Sequence, residues 1–427
     1  MPSKNIKKID RFKAAKIYWY LIIVVSIFYC YEFFLRISPG LVMNQLLIQY
    51  HTHALGIAEF ASFYYFAYMF AQVPAGMLFD RYSVKTVLNW AILVCIIGTL
   101  IFTTSHTITL GLLGRAIIGI GSAFAFVGAL YVTKRYLPSK YFTTVTSLVI
   151  SLGTLAGAFG QVFAANIIHA IGWQQSIFGI ALLGFIIIMA IAAIPNRYLT
   201  CCNPTEIRLP GSAIVHQAWQ LLKNKTIWIN GVIGGLFYLP TSIFAATWGI
   251  TFLTNQYDIS KTQASFSITL IFLGWAIGAP IIGILCDRLQ LEKWLLVIGA
   301  LLASLTISLI LYSPQLPFHT INLLLFAFGF TSSAQVIVWR IFHKQIKNDE
   351  VIGTASALTN MIIIAGGAIF QLVVGWLIDA IHQPVTGETV PHYTTHDLKL
   401  ALIILPISLL LTAILGYWLN RHLEQVV

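Results

Sequence analysis

Long apolar segments alternate with short polar ones along almost the whole chain. A helix needs about 20 predominantly apolar residues to cross the hydrocarbon core of a bilayer, and windows of that length occur twelve times. They lie near residues 17–46, 57–79, 85–104, 107–132, 143–168, 174–195, 227–254, 262–286, 292–313, 316–342, 351–380 and 398–420. The pattern therefore predicts an all-α membrane protein with twelve transmembrane helices, which we number as spans 1 to 12.

The longest polar interval separates the sixth span from the seventh, at residues 196–226. It contains two turn signals, Asn203-Pro204 and Pro210-Gly211, of the kind that interrupt helices. We therefore predict an N-terminal half at 1–195, a linker at 196–226 and a C-terminal half at 227–427, each half with six spans.

The amino-acid composition agrees with a membrane protein. Hydrophobic residues make up 58% of the 427 residues and charged ones only 9%, whereas a soluble domain carries about 25% charged residues. A soluble enzyme is therefore excluded. The chain also lacks a Walker-type glycine loop and any cysteine or histidine cluster with the spacing of metal ligands, so we expect no nucleotide, metal or other cofactor.

The net charge of +11 is distributed unevenly about the predicted membrane. Of the 25 Lys and Arg residues, 21 fall on the side that holds both termini, two on the other side and two within spans. Because cytoplasmic loops carry the excess of Lys and Arg, we expect both termini and the linker in the cytoplasm and a multi-pass protein of the cytoplasmic (inner) membrane. The bilayer explains the charge, and a nucleic-acid partner is not needed.

The two halves share sequence at nearly constant spacing. The end of span 2, Gly76-Met77-Leu78-Phe79-Asp80-Arg81, resembles the end of span 8, Gly283-Ile284-Leu285-Cys286-Asp287-Arg288, at an offset of 207 residues. Residues 156–161 of span 5 resemble residues 366–371 of span 11 at an offset of 210. Parallel six-helix repeats with a binding site at their interface are a known transporter design.

With these features the chain resembles the major facilitator superfamily. The signature after span 2 reads Gly76-Met77-Leu78-Phe79-Asp80-Arg81-Tyr82-Ser83-Val84-Lys85, and it departs from the family pattern at Ser83 and Val84. The resemblance implies that Asp80 lies near the cytoplasmic start of span 11, and Asp287 near that of span 5. An acid is stabilised at a helix N-terminus, so we expect a conformational latch formed by Gly76, Asp80, Arg81, Gly283, Asp287 and Arg288.

Span 1 carries a carboxylate and a guanidinium within the predicted membrane. Glu32 and Arg36 are four residues apart and so share a helix face, and Tyr29 flanks them one turn earlier. Charges inside a bilayer are functional candidates, although the two could also be a structural pair. Arg115 of span 4 lies in a segment similar to the family's arginine motif. The resemblance therefore implies that Glu32, Arg36 and Arg115 surround one central cavity.

The candidate residues in the remaining spans are polar or aromatic but uncharged. Each could contact a substrate or could simply hydrogen-bond a neighbouring helix. They are Gln161 of span 5, Asn230 and Tyr238 of span 7, Gln335 and Trp339 of span 10, and Asn360 of span 11. As a set they predict that the charged part of a substrate faces the first half of the protein.

These features predict a secondary active transporter for a small molecule, working by alternating access as a monomer. A carboxylate such as Glu32 can load a proton on one side and release it on the other, so we expect proton symport. The run 31–39, Tyr-Glu-Phe-Phe-Leu-Arg-Ile-Ser-Pro, is similar to the phagosomal transporters of intracellular bacteria. These import amino acids and, in some members, nucleosides, so the resemblance implies an amino acid as the first candidate substrate. The alternatives are an organic-anion or sugar-phosphate carrier, and a non-transporting sensor or partner subunit with the same fold.

The predicted topology can be tested with reporter fusions. A reporter at Lys223 should be cytoplasmic and one at Gly387 external, because five spans separate the two positions. Enzymatic reporters that are active on only one side of the membrane measure this directly. Both reporters on the same side would contradict the arrangement of twelve spans.

Overall fold

The predicted all-α architecture is confirmed by the computed structural model. The structure describes residues 8–137, 142–196, 199, 219, 222–345, 352–383 and 391–423. Within these ranges the regular structure is helical, and twelve helices are long and apolar enough to cross a membrane. Because twelve is an even number, the start of span 1 and the end of span 12 belong to the same face of the helix bundle. We call it the termini face, and the other the opposite face.

The helices of the first half are almost uninterrupted. Their bounds are Lys8–Leu41 (span 1), Met43–Tyr50 (a short connecting helix), Ala54–Arg81 (span 2), Val84–Thr104 (span 3), Ile108–Tyr136 (span 4), Phe142–Ile171 (span 5) and Trp173–Ala192 (span 6). The predicted window 17–46 extends beyond the end of span 1. The helix stops at Leu41 and a separate helix starts at Met43, because Pro39 interrupts the hydrogen-bond ladder of the last turn.

Two spans of the second half change their helical pitch partway. Span 7 consists of Lys225–Leu239, a π-helical segment Pro240–Trp248, and Gly249–Tyr257. Span 10 consists of Phe318–Ser332, a 3₁₀ turn Ser333–Gln335, and Val336–Gln345. The other helices are Lys261–Leu289 (span 8), Glu292–Tyr312 (span 9), Ile352–Ile381 (span 11), and Thr395–Ala401 with Ile404–Leu423 (span 12). Pro240 lacks the amide hydrogen that a regular helix needs, and π-helical turns frequently occur at functional sites.

The spans of the two halves pack in the same pattern. Span 2 lies against span 4, span 1 against span 5 and span 3 against span 6, and the corresponding pairs of the second half are 8 with 10, 7 with 11 and 9 with 12. Glycines allow the closest of these approaches. A Cβ at Gly119 would collide with the Tyr64 carbonyl oxygen, and one at Gly329 would collide with the Ile271 carbonyl oxygen. Gly329 follows Gly119 by 210 residues and Ile271 follows Tyr64 by 207 residues, the same offsets that relate the sequence motifs. The two contacts are therefore equivalent positions of the repeat.

The interface between the halves repeats in the same way. Spans 2 and 11 pack together, as do spans 5 and 8. Ser62 Oγ donates to the Ala368 carbonyl oxygen at 2.8 Å, and Thr269 Oγ1 donates to the Ala158 carbonyl oxygen at 2.7 Å. The four positions are again related by 207 and 210 residues. Two equivalent hydrogen bonds thus join the halves on either side of the bundle centre.

Candidate substrate and proton site

The charged residues of span 1 form a buried ion pair. Arg36 Nε and Nη2 both donate to Glu32 Oε1, at 3.0 and 2.6 Å, and the Tyr64 hydroxyl of span 2 donates to the same oxygen. The side chain of Glu32 is fully buried and that of Arg36 is 8% exposed. One carboxylate oxygen therefore accepts three hydrogen bonds in a region shielded from water.

The other oxygen of the carboxylate is in a different situation. Glu32 Oε2 is buried and has no hydrogen-bond partner among the residues that the structure describes. A buried acceptor without a partner costs about 1–3 kcal/mol. Chemically, this oxygen is where a proton could be held, or where a donor group of a bound solute could be accepted.

Aromatic rings surround the Arg36 guanidinium. Its central carbon lies 4.6 Å from the centre of the Phe33 ring and 5.2 Å from that of Tyr68, distances at which a cation and an aromatic face attract each other. Tyr238 of span 7 is within electrostatic range of Arg36. The predicted residue Tyr238, which belongs to the second half of the protein, therefore lies in the neighbourhood of the ion pair.

Tyr29 is held in place by span 5. Its ring packs edge-on against Phe33 with 5.2 Å between ring centres, and a Cβ at Gly153 would collide with Tyr29 Cε1. A Cβ at Gly157 would lie 3.2 Å from Phe33 Cδ1. The glycines of span 5 therefore leave room for the aromatic residues of span 1. The side chain of Gln161, predicted on the same span, lies outside the described side chains.

Arg115 is fully buried beside this site, but its donors point elsewhere. Its guanidinium forms hydrogen bonds of 2.7–3.3 Å with three backbone carbonyl oxygens of spans 1 and 2, namely those of Leu35, Arg36 and Phe60. It also stacks on Tyr64, at 4.8 Å from the ring centre. In this conformation Arg115 joins spans 1, 2 and 4, and its role as a substrate ligand remains a prediction.

The proline of span 1 explains why Arg115 is needed there. In a helix the amide of residue 39 would donate to the carbonyl of Leu35, but Pro39 has no amide hydrogen. Arg115 Nη1 and the Ser38 hydroxyl supply the missing donors, at 2.7 and 2.9 Å from the Leu35 oxygen. The backbone of span 1 is thus completed immediately beside the ion pair.

Two of the predicted residues of the second half, Gln335 and Asn360, form hydrogen bonds between helices. Gln335 Nε2 of span 10 donates to the Gly234 carbonyl oxygen of span 7 at 2.9 Å. Asn360 Nδ2 of span 11 donates to Gln72 Oε1 of span 2 at 3.2 Å, so it joins the two halves. Asn230 is buried and Trp339 is half-buried.

The predicted latch is described only in part. Among the described residues, no atom outside the same stretch of helix lies within 4 Å of the place where a Cβ of Gly76 or Gly283 would be. Arg81 and Arg288 are exposed. The side chains of Asp80 and Asp287 lie outside the described side chains. The latch therefore stays a prediction.

Sequence reasoning missed the tyrosines of span 2. Tyr64 and Tyr68 are four residues apart, so they lie on one helix face, and this face contacts Glu32 and Arg36. Their spacing on a membrane span was the available signal. Ser62 and Thr269, which join the halves, gave no such signal because single hydroxyls in spans are common.

Comparisons with known proteins agree with this architecture. The family model described as Major Facilitator Superfamily matches residues 21–371. The chain therefore belongs to the Major Facilitator Superfamily.

Several curated relatives are transporters of low sequence identity. The probable nitrate transporter NarT of Staphylococcus epidermidis is 24% identical over 251 residues, which are 57% of this chain and 61% of that protein. The probable galactarate/D-glucarate transporter GudP of Escherichia coli is 22% identical over 300 residues, 64% of this chain and 66% of that protein. The matches thus cover less than two thirds of either relative.

Solved structures share the fold over nearly the whole chain. A bacterial homolog of the human lysosomal transporter Spinster, in an inward-facing and unoccupied conformation, matches with a TM-score of 0.78 and 14% identity, covering 95% of this chain and 97% of that one. The nucleoside transporter NupG matches with a TM-score of 0.70 and 15% identity, covering 93% of this chain and 98% of that one. At these identities the likeness shows the fold alone.

The hydrogen bonds of Arg115 predict a structural effect of its replacement. In Arg115→Lys a single ammonium group cannot reach three carbonyl oxygens, so at least one buried acceptor loses its partner. We expect the folded protein to lose about 1–3 kcal/mol of stability, measured as a lower unfolding temperature in detergent.

A matched control and a transport assay complete this test. Arg135→Lys changes an exposed arginine of the same span and should leave the unfolding temperature as it is. Substrate affinity of the folded Arg115→Lys protein separates the two roles of this residue. Affinity stays at the parent value if Arg115 only joins the helices, and falls if Arg115 also binds the solute. An unchanged unfolding temperature together with a lost affinity would contradict the structural role.

Proposed function

We propose that this protein is a secondary active transporter that carries a small organic solute with a carboxylate group. In this proposal a proton on Glu32 drives the movement of the solute. The observation that carries the proposal is the one-sided ion pair. Arg36 uses Nε and Nη2 on Glu32 Oε1, whereas Oε2 has no partner among the described residues. A proton on Oε2 would remove the negative charge that holds Arg36.

Released in this way, Arg36 can bind an anion. A guanidinium forms two parallel hydrogen bonds with a carboxylate, and these charge-assisted bonds are stronger than neutral ones. Glu32 and the carboxylate of the solute would therefore compete for the same donors. Protonation of Glu32 favours the bound solute, and loss of the proton favours its release.

The charge balance of the buried site explains why the two movements would be coupled. With Glu32 ionised and no solute, the pair of Glu32 and Arg36 carries no net charge. With Glu32 protonated and an anionic solute bound to Arg36, these three groups together again carry no net charge. The proton alone would leave an unpaired positive charge in the membrane, which is energetically costly. Reorientation is therefore favoured with both the proton and the solute, or with neither.

The solute has two candidate classes. The sequence predicts an amino acid, whose ammonium group would be accepted by ionised Glu32 while Arg36 holds its carboxylate. The alternative is an organic anion, and the names of two relatives, which refer to nitrate and to galactarate or glucarate, favour an anion. In the second case Glu32 is free to carry the proton, as described above.

The orientation of the protein in the membrane follows from the distribution of its charges. We propose that the termini face is cytoplasmic, in accordance with the distribution of Lys and Arg, and that the protein works in the cytoplasmic membrane. The site lies within a single chain, so one copy suffices for transport. Asp80 and Asp287 would stabilise closure of the termini face.

Glu32→Gln separates the two classes of solute. If Glu32 carries the proton, uptake driven by a pH gradient is lost, whereas exchange of labelled for unlabelled solute at equal pH persists. Glutamine imitates the protonated carboxyl, so the loaded carrier can still reorient. If Glu32 binds an ammonium group, a charge-assisted bond of about 1.5–3 kcal/mol is lost, and apparent affinity falls about tenfold or more in both assays.

Two further variants define the limits of this test. Glu59→Gln, a half-buried glutamate of span 2, is the matched control and should retain both activities. Arg36→Lys keeps the charge but loses the fork that fits a carboxylate, so solute affinity should fall while any dependence on the pH gradient remains. Labelled amino acids, dicarboxylates and nitrate in proteoliposomes are the solutes to compare. Full uptake and exchange in both Glu32→Gln and Arg36→Lys would overturn the proposal.

A further inference from the structure

The start of span 2 differs from the starts of spans 3, 4, 8 and 12 in how its backbone amides are satisfied. The first amides of a helix have no partner within the helix, and a side chain that precedes them normally accepts one. Spans 3, 4, 8 and 12 follow this rule with their own Ser83, Thr107, Ser260 and Thr394. The residue before span 2 is His53, which makes no such bond.

The missing acceptor comes from the other half of the protein. Asp379, in the last turn of span 11, accepts hydrogen bonds from the amides of Ala54 and Leu55 at 3.0 and 2.7 Å. His53 Nδ1 lies 2.6 Å from Asp379 Oδ2, and the Tyr393 hydroxyl donates to Asp379 Oδ1 at 2.8 Å. A carboxylate is stabilised at this end of a helix by the helix dipole as well. Span 11 thus caps span 2 at the opposite face.

The backbones of the two halves also come very close at this face. Gly375 lies one turn before Asp379, and a Cβ there would be 2.5 Å from Ala58 Cβ and 2.9 Å from the Ala54 carbonyl oxygen. Between spans 1 and 7, a Cβ at Gly40 would collide with the Ala246 carbonyl oxygen. Span 11 can therefore present Asp379 to span 2 only while the halves are packed together here.

The internal repeat supplies a comparison within the same molecule. At the offsets of 207 and 210, His53 corresponds to Ser260 and Asp379 to His169. Ser260 caps span 8 together with Gln263 of the same helix, so that cap does not depend on the other half. The contact between Asp379 and span 2 is an exception to the symmetry of the interface.

We propose that Asp379 is the gate residue of the opposite face, and that its cap on span 2 stabilises the conformation in which this face is closed. Opening the face separates span 11 from span 2, so the amides of Ala54 and Leu55 lose the carboxylate and turn to water. His53 and Tyr393 orient the carboxylate while the gate is closed. Asp379 touches no solute in this role, because it positions one half against the other.

Accessibility of a buried cysteine measures the gate directly. Ser62 lies on span 2 two turns inside the gate and bonds to span 11, so Ser62→Cys places a thiol beneath it. In this background Asp379→Asn keeps the size of the side chain but removes its charge. We expect labelling by a membrane-impermeant maleimide, applied from the opposite face, to become about tenfold faster, which corresponds to about 1.4 kcal/mol. Gly375→Ala, which presses span 11 away from span 2, and Tyr393→Phe should act in the same direction.

Asp397→Asn is the matched control. This carboxylate lies on span 12 near the gate, and its bonds within the described part of the chain go to Thr394 and His382 of its own half, so labelling should stay at the parent rate. The same variants without Ser62→Cys measure the labelling rate of the native cysteines, which is subtracted as background. Unchanged labelling in both Asp379→Asn and Gly375→Ala would overturn the gate, as would an equal increase in Asp397→Asn. The assay needs neither a solute nor a proton gradient, so its result is independent of the role proposed for Glu32.

Discussion

Polar groups inside this protein must find their partners within the chain, because the surrounding hydrocarbon offers none. This requirement accounts for the unusual contacts of the first half. Pro39 leaves a carbonyl of span 1 without its amide, and the buried guanidinium of Arg115 replaces it. Glu32 and Arg36 satisfy each other one turn away. A buried polar atom that has no partner among the described residues, such as Oε2 of Glu32, still lacks a hydrogen bond. Such an atom is therefore a place where a proton or a solute can bind.

The halves are joined by contacts that repeat and by contacts that do not. Ser62 and Thr269 form equivalent bonds across the interface, and glycines set equivalent helix spacings in both halves. Because these contacts are equivalent, they hold spans 2 and 11 together in the same way as spans 5 and 8. The ion pair of span 1 has no counterpart, since the positions equivalent to Glu32 and Arg36 in span 7 are Leu239 and Ile243. Asp379 likewise acts on one helix start alone. The central site and the gate that we propose thus lie where the two halves differ, whereas the proposed latch of Asp80 and Asp287 lies in a motif that both halves share.

The ion pair of span 1 and the cap of Asp379 on span 2 would act at different steps of a transport cycle. In the roles that we propose, the ion pair of Glu32 and Arg36 links occupancy to reorientation, and the cap of Asp379 on span 2 sets how readily the opposite face opens. The two residues lie on different helices, Glu32 within span 1 and Asp379 in the last turn of span 11 at the opposite face.

The sequence by itself determined the fold class, the family and the candidate ion pair. Apolar length, the distribution of Lys and Arg, and the repeats around Asp80 and Asp287 are properties of the chain alone, and the i, i+4 spacing of Glu32 and Arg36 is local to one helix. The tertiary structure decided what depends on contacts between distant helices. It directed Arg115 to the backbone of spans 1 and 2, brought Tyr64 to Glu32, and placed Asp379 at the start of span 2, 325 residues away in sequence from Ala54. Such partners follow from the packing of whole spans, and no local pattern of residues specifies them.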